Sequence, residues 1–285
     1  MCNINQEIIK MWKDNITKGH VGSFFSAIAT LSSFATLITV AFPWDTSKLQ
    51  IWHSLCLVFI IIIIAGYYSY AQNQKIKKLQ LTISEKLKLT IEEGDIFEKK
   101  GIILIPVNEY FDTHVGDDVV DAKSIHGQFI NKYFQNENEL NQIFNTLLQN
   151  KEVVAEDERS VNGIKLRGKR YKLGTCIKLE KNENIYVLFS LTHFDRDNKA
   201  NVSRKEYSEI LQKLLIYLNC MPGGKTIYMP LFGTKFSRIN RTPNQILHYI
   251  VNAIDFINDE LAILGGLHIV IYNINEVNLN ELKNR

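Results

Sequence analysis

Two long apolar runs close to the N-terminus constrain the fold of this chain more than any other feature. The first, residues 22–42, contains no charged residue, and the second, residues 51–71, contains no Asp, Glu, Lys or Arg and one histidine, His53. Each run reaches the roughly 20 residues that a helix needs to cross a hydrocarbon core of about 30 Å. The short linker between them, residues 43–50, would make the helices antiparallel neighbours. The sequence therefore predicts a two-helix transmembrane hairpin over residues 21–74.

A cleaved signal peptide or a buried core helix can also produce a long apolar run. A signal peptide has a shorter apolar region and a small-residue cleavage site, whereas the first run here ends in Ala-Phe-Pro-Trp and a second run follows. A core helix normally keeps a polar stripe, which the five consecutive isoleucines at residues 60–64 lack. Both alternatives are weaker than the membrane hairpin.

The lysines that flank the hairpin predict its orientation. Three precede the first run and three follow the second: Lys10, Lys13, Lys18, Lys75, Lys77 and Lys78. Because positive residues stay on the cytoplasmic side, both termini are expected in the cytoplasm. Residues 1–20 would form either an amphipathic helix on the inner membrane surface or a helical tail.

Small and weakly polar residues mark one face of the first predicted span. Ser26, Thr30 and Ser33 fall on that face, where helices can approach closely and form hydrogen bonds. The partner could be the second span of the same chain or a helix of another chain.

From about residue 75 the sequence takes on the pattern of a soluble domain. A helical extension of the second span, residues 72–80, is expected to lead into an alternating strand at residues 87–91. Further strands are predicted at residues 102–107, at 226–230, at 268–272 and on both sides of a turn at 182–184. Helices are predicted at residues 119–134, 137–149, 204–219 and 243–264. This alternation predicts an α/β fold with a mixed, largely parallel sheet that helices cover on both faces.

Cysteine spacing and charge exclude several classes of protein. The four cysteines are scattered without metal-ligand spacing, so neither a metal site nor a disulfide framework is expected. The net charge of +3 is mild and the lysines are distributed with glutamates rather than concentrated in a basic patch, which argues against nucleic acid as the main partner.

Two predicted strand ends carry the residues expected to bind a ligand. The stretch IILIPVNEYFDT, residues 102–113, precedes a helix that contains SIHGQF, and IYMPLFGTKFSRINRTP, residues 227–243, leads into the last long helix. In largely parallel sheets, ligands lie at the carboxyl ends of strands, where helix N-termini favour anions. The two loops are expected to lie on either side of a phosphorylated ligand.

The order of these motifs resembles that of macrodomains, which are ADP-ribose-binding α/β/α modules. The shared features are Gly94-Asp95-Ile96, a strand that ends in Asn108, the Ile125-His126 pair and a Pro-x-x-Gly-Thr loop at residues 230–234. The stretches VNEYFDT, SIHGQFI, KLGT and PLFGTKFSR are closer to the macrodomain of Thoeris antiphage effectors of the ThsA type (type II Thoeris), in which two transmembrane helices precede it. On this resemblance the macrodomain would span residues 80–285.

The resemblance implies a set of ligand-binding residues. Asp95 would accept a hydrogen bond from the adenine amino group beside the Ile96 backbone, and Asn108 would reach the ribose beyond the phosphates. The first loop and the helix beneath it would contribute Phe111, Asp112, Thr113, Ser124, His126 and Gly127. The second loop would contribute Gly233, Thr234, Lys235, Phe236, Ser237 and Arg238. No catalytic residue and no cofactor is implied. From the residues alone, Asp95 could also be a surface turn residue, Asn108 a strand-end cap and His126 a structural histidine.

The function that the resemblance implies is that of a multi-pass effector in the bacterial inner membrane. Its macrodomain would sense an ADP-ribose derivative, such as histidine-ADP-ribose made by a TIR-domain enzyme. The protein would then form a homo-oligomer and disrupt the membrane lipid, causing abortive infection.

Two other functions stay open at the level of the sequence. One is a membrane-anchored ADP-ribosyl hydrolase, with Asp112 or Asp118 activating water. Against it, the first loop has only Gly116 where hydrolytic macrodomains are glycine-rich, and Lys235 replaces a common glycine. The other is a structural or channel subunit whose soluble domain mainly oligomerises.

Overall fold

The computed structural model describes residues 25–26, 28–30, 32–33, 59–67, 76–117, 119–194, 199–221, 224–234 and 238–283. The chain divides into two compact units, Met1–Lys75 and Ile76–Arg285.

The described residues of the first unit are helical, at positions 25–33 with gaps and at 59–67. The hydroxyls of Thr30 and Ser33 donate to the carbonyls of Ser26 and Ala29, one turn earlier, at 2.9 and 2.8 Å. Among the residues described, no helix combines the length and the apolar character that a membrane span requires. The predicted hairpin stays a prediction, since most of its residues, like residues 1–20, lie outside those described.

Eight strands of the second unit form one mixed sheet in the order β1-β2-β12-β11-β3-β9, with β8 and β10 both paired to β9. The strands β2, β12, β11, β3 and β9 are mutually parallel, and β1, β8 and β10 are antiparallel to their neighbours. Their bounds are β1 Lys78–Ser84, β2 Leu87–Glu93, β3 Ile102–Asn108, β8 Cys176–Lys181, β9 Asn184–Phe194, β10 Ala200–Asn201, β11 Ile227–Pro230 and β12 Leu267–Ile271. The mixed, largely parallel sheet that the sequence predicts is confirmed.

Helices cover both faces of this sheet. Their bounds are α1 Ile125–Tyr133, α2 Glu137–Leu148, α3 Arg204–Asn219, α4 Pro243–Phe256 and the short α5 Asn280–Lys283. In β3, Ile102 and Leu104 belong to the core that includes α3 and α4, whereas Ile103 and Ile105 belong to the core that includes α1 and α2. The continuous apolar run of β3 thus reflects burial on both faces, which is typical of a parallel strand.

Local capping signals fix the starts of two of these helices. Ser203 and Glu206 form a reciprocal capping box at α3, and Thr242 and Gln245 form another at α4, which begins with Pro243. Each box satisfies two backbone N–H groups that a helix start leaves unpaired. These signals position α3 and α4 beside the carboxyl edge of the sheet.

Three predicted elements differ from those observed. Lys78–Ser84 is a strand rather than the end of a helix, because it pairs with β2 and turns Leu79 and Leu81 towards the core. The helix predicted at 119–134 begins only at Ile125, where Ser124 caps it. The helix predicted at 243–264 ends at Phe256, and a 3-10 turn follows at Asn258–Glu260.

Residues 150–171 form a small insertion for which the sequence predicts no element. It consists of two short antiparallel pairs, β4 with β7 and β5 with β6. The bounds are β4 Val153–Glu156, β5 Ser160–Val161, β6 Ile164–Lys165 and β7 Lys169–Tyr171. This insertion reaches the loop that follows β3, and it shapes the site described next.

Candidate functional site

The candidate site lies where β2, β3, β11 and β12 end at the carboxyl edge of the sheet. Because these strands are parallel, their following loops gather at one edge, and ligands of such sheets bind there. The loop after β3 is called the first loop (residues 109–124) and the loop after β11 the second loop (residues 231–242).

Asp95 and an exposed tyrosine form one corner of this edge. Asp95 caps a 3-10 turn, and its Oδ1 accepts a hydrogen bond from Phe97 N at 2.9 Å. The Ile96 side chain is buried, so only its backbone can face a ligand. Gly94 N donates a hydrogen bond to Ile271 O at 3.0 Å, and this bond joins the turn to the end of β12. The next residue, Tyr272, is 85% exposed. Sequence reasoning missed Tyr272 as a site residue, although an aromatic residue at the end of a buried strand was a usable signal.

The side chain of Asn108 points into the first loop. Its Oδ1 accepts hydrogen bonds from Tyr110 N at 3.1 Å and Asp112 N at 3.2 Å, and its Nδ2 donates to Asp112 Oδ2 at 3.1 Å. The side chain therefore organises the loop after the strand, as a strand-end cap does.

Phe111 belongs to the core and does not line the cleft. It is fully buried with a φ of 54°, and its ring meets Phe144 and Tyr171 edge-on at centroid distances of 6.2 and 5.7 Å. The left-handed backbone turns the side chain inward, so only the backbone of this predicted site residue can face a ligand.

Asp112 is fully buried in a polar cluster that fastens the first loop to the insertion. Arg159 of the insertion makes a bidentate contact with it, Nη1 to Oδ1 at 2.9 Å and Nη2 to Oδ2 at 3.0 Å. Burial raises the pKa of Asp112, and the Arg159 guanidinium opposes that rise. Arg167 adds a hydrogen bond from Nε to Tyr110 O at 3.0 Å. Both arginines were missed, because they lie about fifty residues from the loop in sequence.

Thr113 and His114 attach the first loop to α2. The Thr113 hydroxyl lies 2.9 Å from Asn141 Oδ1 and 3.2 Å from Glu137 Oε1. The His114 ring lies between Asp117 and Glu137, and these two carboxylates raise its pKa. Thr113 is buried, so it holds the loop from beneath.

Ser124, His126 and Gly127 form the start of α1. Ser124 Oγ accepts a hydrogen bond from Gly127 N at 3.0 Å, and a side chain at Gly127 would collide with the Asp121 carbonyl oxygen. His126 is buried, and its Nε2 has no hydrogen-bond partner among the described residues. Burial lowers the pKa of His126 to about 3, although a hydrogen bond with the Asp112 backbone opposes this. His126 is therefore neutral at physiological pH and carries no charge to a phosphate.

The described residues of the second loop line an open cavity of about 520 Å³, a volume in the range of small-molecule sites. Its lining consists of Thr234, Arg238, Asn240, Arg241, Thr242 and Gln245. Gly233, with a φ of 94°, packs so closely that an added Cβ would lie 2.7 Å from the Tyr207 ring. The predicted contacts Lys235, Phe236 and Ser237 lie outside the described residues.

A three-layer α/β/α domain with an open cationic cavity at the carboxyl edge of its sheet has the architecture of a nucleotide-binding module. The chain belongs to the family of the macro domain of the Thoeris protein ThsA, whose family model matches residues 89–272. This membership is consistent with antiphage defence and with binding related to ADP-ribose.

The chain is also similar to individual proteins. The Thoeris protein ThsA of Bacillus amyloliquefaciens (strain Y2) is 29% identical over 168 residues, which cover 56% of this chain and 54% of that protein. The chain thus spans about half the length of this relative. Two structures of the Oceanobacillus iheyensis macrodomain, one with MES bound and one with ADP, are 12% identical and cover 73% of this chain and 96% and 95% of theirs. Their TM-scores are 0.49 and 0.44.

Proposed function

We propose that this protein is a membrane effector of antiphage defence whose macrodomain senses an ADP-ribose derivative. The signal would be a molecule such as histidine-ADP-ribose, supplied by a TIR-domain enzyme. The observation that carries the proposal is the cationic cavity of the second loop, about 520 Å³ in volume, at the carboxyl edge of the sheet.

The cavity suits a diphosphate. Arg238 and Arg241 line it together with Thr242, the N-cap of α4. Guanidinium groups form charge-assisted hydrogen bonds with phosphate, and a helix N-terminus favours anions. Asp95 and Tyr272, after β2 and β12, would then receive the adenine, and the first loop would border the ribose beyond the phosphates.

The state of Asp112 supports binding rather than hydrolysis. A general base must have a carboxylate oxygen free to receive a proton from water. Both Asp112 oxygens are engaged by Arg159, and Oδ2 also accepts from Asn108. The other acid suggested for hydrolysis, Asp118, lies outside the described residues. We therefore propose a sensor without enzymatic activity.

The proposed response is assembly of the effector in the bacterial inner membrane. A ligand can shift a conformational equilibrium only through its difference in affinity for the two states. Strand β1 begins at Lys78, only a few residues in sequence after the predicted hairpin ends at residue 74, so the sequence that links the sensor to the predicted hairpin is short. Ligand binding would favour a homo-oligomer whose clustered hairpins disrupt the membrane and abort the infection.

The proposal is tested on the full-length protein in detergent and in cells. Histidine-ADP-ribose or ADP-ribose should raise the oligomeric mass measured by light scattering, and production of the signal should depolarise cells that express the protein. Ser26→Leu, which places a bulky group on the small face of the first predicted span, should abolish depolarisation but leave ligand affinity unchanged. If the nucleotide binds tightly while mass and membrane potential both stay constant, the effector function is wrong.

A further inference from the structure

Strand β1 is an edge strand of the main sheet. Within the described part of the chain it pairs with β2 alone. Lys77 O accepts a hydrogen bond from Glu93 N at 3.1 Å, so the odd-numbered residues along β1 direct their backbone N–H and C=O groups towards β2. Because an antiparallel ladder alternates, the even-numbered residues Lys78, Gln80 and Thr82 direct theirs away from the sheet. The outer side of β1 therefore presents a row of backbone donors and acceptors to another strand.

This edge lacks the features that normally prevent pairing with a further strand. Exposed edge strands of native proteins carry charged residues or proline. The sheet's other edge strand of comparable length, β8, has such protection in its charged residues (CIKLEK). In β1, residues 79–84 include neither a charged residue nor a proline. Lys78, at the start of the strand, forms an ion pair with Glu92 of β2 at 3.4 Å. The edge of β1 is thus suited to pairing.

The sequence of β1 is complementary to itself in an antiparallel alignment about Gln80. In this alignment Gln80 faces Gln80 of a second copy, and Lys78 faces Thr82. The outward backbone groups of both strands then pair with one another, in about six N–H···O hydrogen bonds. Leu79 faces Leu81 of the second copy, and both leucines are half-buried against the core that includes α3 and α4. No like charges lie opposite each other, so nothing in the side chains opposes the pairing.

The irregularity of β1 selects this alignment over its neighbour. The register with β2 shifts between Thr82 and Ser84, so the regular part of the strand is residues 78–82. An alignment about Gln80 uses only this regular part. An alignment about Leu81 would instead pair Lys78 with Ser84, beyond the irregularity. The alignment about Gln80 is therefore favoured.

We propose that β1 is the contact through which two copies of this chain join their sheets, with a two-fold axis at Gln80. This inference rests on the proposed function in that it assigns a contact to the homo-oligomer that the signal favours. Since the same surface is used by both copies, the contact produces a dimer, and larger assemblies would form through the predicted hairpins.

The start of β1 lies beside the proposed adenine corner. Glu93, which donates to Lys77 O, is followed directly by Gly94 and Asp95 of the turn after β2. A nucleotide that orders this turn would also order the end of the β1–β2 ladder. The position of β1 thus links the ligand edge to the contact between copies.

Cysteine cross-linking of the full-length protein in detergent tests the alignment. Cα atoms of residues that exchange both hydrogen bonds in an antiparallel pair are about 5.5 Å apart, which a disulfide can span. Gln80→Cys should therefore give a covalent dimer on oxidation with histidine-ADP-ribose present. Thr82→Cys, on the same face of β1, is the matched control and should give none, because the two copies of residue 82 are about 14 Å apart. Wild type, oxidised alongside, shows the contribution of the four native cysteines.

A pair of charge substitutions tests the same alignment without a covalent bond. Gln80→Glu places two carboxylates opposite each other on the axis and removes an amide contact. It should raise the protein concentration at half-assembly, measured by light scattering with histidine-ADP-ribose, about tenfold. Thr82→Glu adds the same charge opposite Lys78 and should leave this concentration within about twofold. Far-ultraviolet circular dichroism and thermal melting that match wild type show that both variants are folded.

The outcomes separate this inference from the proposed function. Nucleotide-driven assembly that is as strong in Gln80→Glu as in wild type, or cross-linking of Thr82→Cys but not of Gln80→Cys, would overturn the β1 contact and leave the effector function standing. A wild-type mass that does not respond to the nucleotide contradicts the effector function, and oxidation of Gln80→Cys without nucleotide then decides the β1 contact by itself. No covalent dimer of Gln80→Cys under either condition would leave the edge to a strand of another protein and overturn this inference.

Discussion

Arg159 and Asp112 form a bidentate ion pair inside the macrodomain, with N–O distances of 2.9 and 3.0 Å. The Asp112 side chain is fully buried and that of Arg159 is 12% exposed. The guanidinium also stacks on Tyr110, 3.7 Å from the ring centroid. One contact thus joins the insertion to the first loop of the site.

Removing one member of this pair should destabilise the protein strongly. Arg159→Met leaves a buried carboxylate uncompensated, which is expected to lower the free energy of unfolding by about 3–5 kcal/mol. Chemical denaturation of the full-length protein measures this loss. Lys172→Met, which breaks the exposed pair with Glu152, is the matched control and should cost less than about 1 kcal/mol. Similar losses in the two variants would show that the Arg159 pair contributes little.

The sequence predicted the central elements of the fold because their signals are local. The apolar run of β3, the amphipathic pattern of α3 and its capping residues depend on neighbours within one or two turns. Strand β1 was misread because its alternation follows a stretch of lysines that suits a helix equally well. The insertion was missed because its strands are only two to four residues long, and it is fastened by Arg159 and Arg167 across long sequence separations.

The candidate site was predictable in position but not in side-chain direction. A strand end followed by loop residues marked Asn108 and Thr234 correctly as parts of the carboxyl edge. Sequence patterns do not show that a positive φ turns the Phe111 side chain into the core, or that the Asp112 carboxylate forms an ion pair with Arg159. Tyr272 was missed because the last predicted strand, residues 268–272, includes it, whereas the observed strand ends at Ile271.

The acid stability of the protein should depend on Glu92. Burial raises the pKa of Glu92, but hydrogen bonds with Lys99 and His268 outweigh it and lower the pKa from 4.5 to about 2. The folded state therefore gains stability above pH 4.5 and loses it as the pH falls from 4.5 towards 2. Glu92→Gln should be less stable than wild type at pH 7, and the difference should shrink across this window. Chemical denaturation at several pH values measures this difference in the free energy of unfolding.

The exposed turn residue Glu85 provides the control for this experiment. Glu85→Gln should follow the wild-type dependence of unfolding free energy on pH. If the gap between wild type and Glu92→Gln stays constant from pH 5 to about 2, the Glu92 carboxylate is not the group that titrates.

Gly233 should be required for the shape of the second loop. An alanine there meets both an unfavourable φ of 94° and the Tyr207 ring, whereas Gly163, with a φ of 80°, has open space around it. Gly233→Ala and Gly163→Ala should share a backbone cost of about 1–2 kcal/mol in unfolding free energy. Only Gly233→Ala should also weaken ADP-ribose binding in a calorimetric titration, because only there must the loop shift. Equal ADP-ribose affinity in the two variants would show that the second loop does not contact the ligand.

Tyr272 should contribute stacking to nucleotide binding. Its ring is exposed beside the Asp95 turn, and stacking of a base on an aromatic side chain contributes about 1–3 kcal/mol. Tyr272→Ala should weaken ADP-ribose binding by that amount, and Tyr272→Phe should retain it. Phe256→Ala, at the end of α4, controls for the loss of an exposed aromatic ring. Tight binding by Tyr272→Ala would place the adenine elsewhere.

Calorimetric titration of ADP-ribose into the full-length protein, with Thr234→Ala alongside, tests nucleotide sensing most directly. Thr234 lines the cationic cavity of the second loop, and its hydroxyl is expected to bond a charged phosphate oxygen. Wild type should show saturable binding of a single nucleotide per chain, and Thr234→Ala should weaken it about tenfold or more while Thr82→Ala, on β1, leaves it unchanged. The absence of saturable binding to wild type, or equal affinity in Thr234→Ala, would contradict a nucleotide site in this cleft.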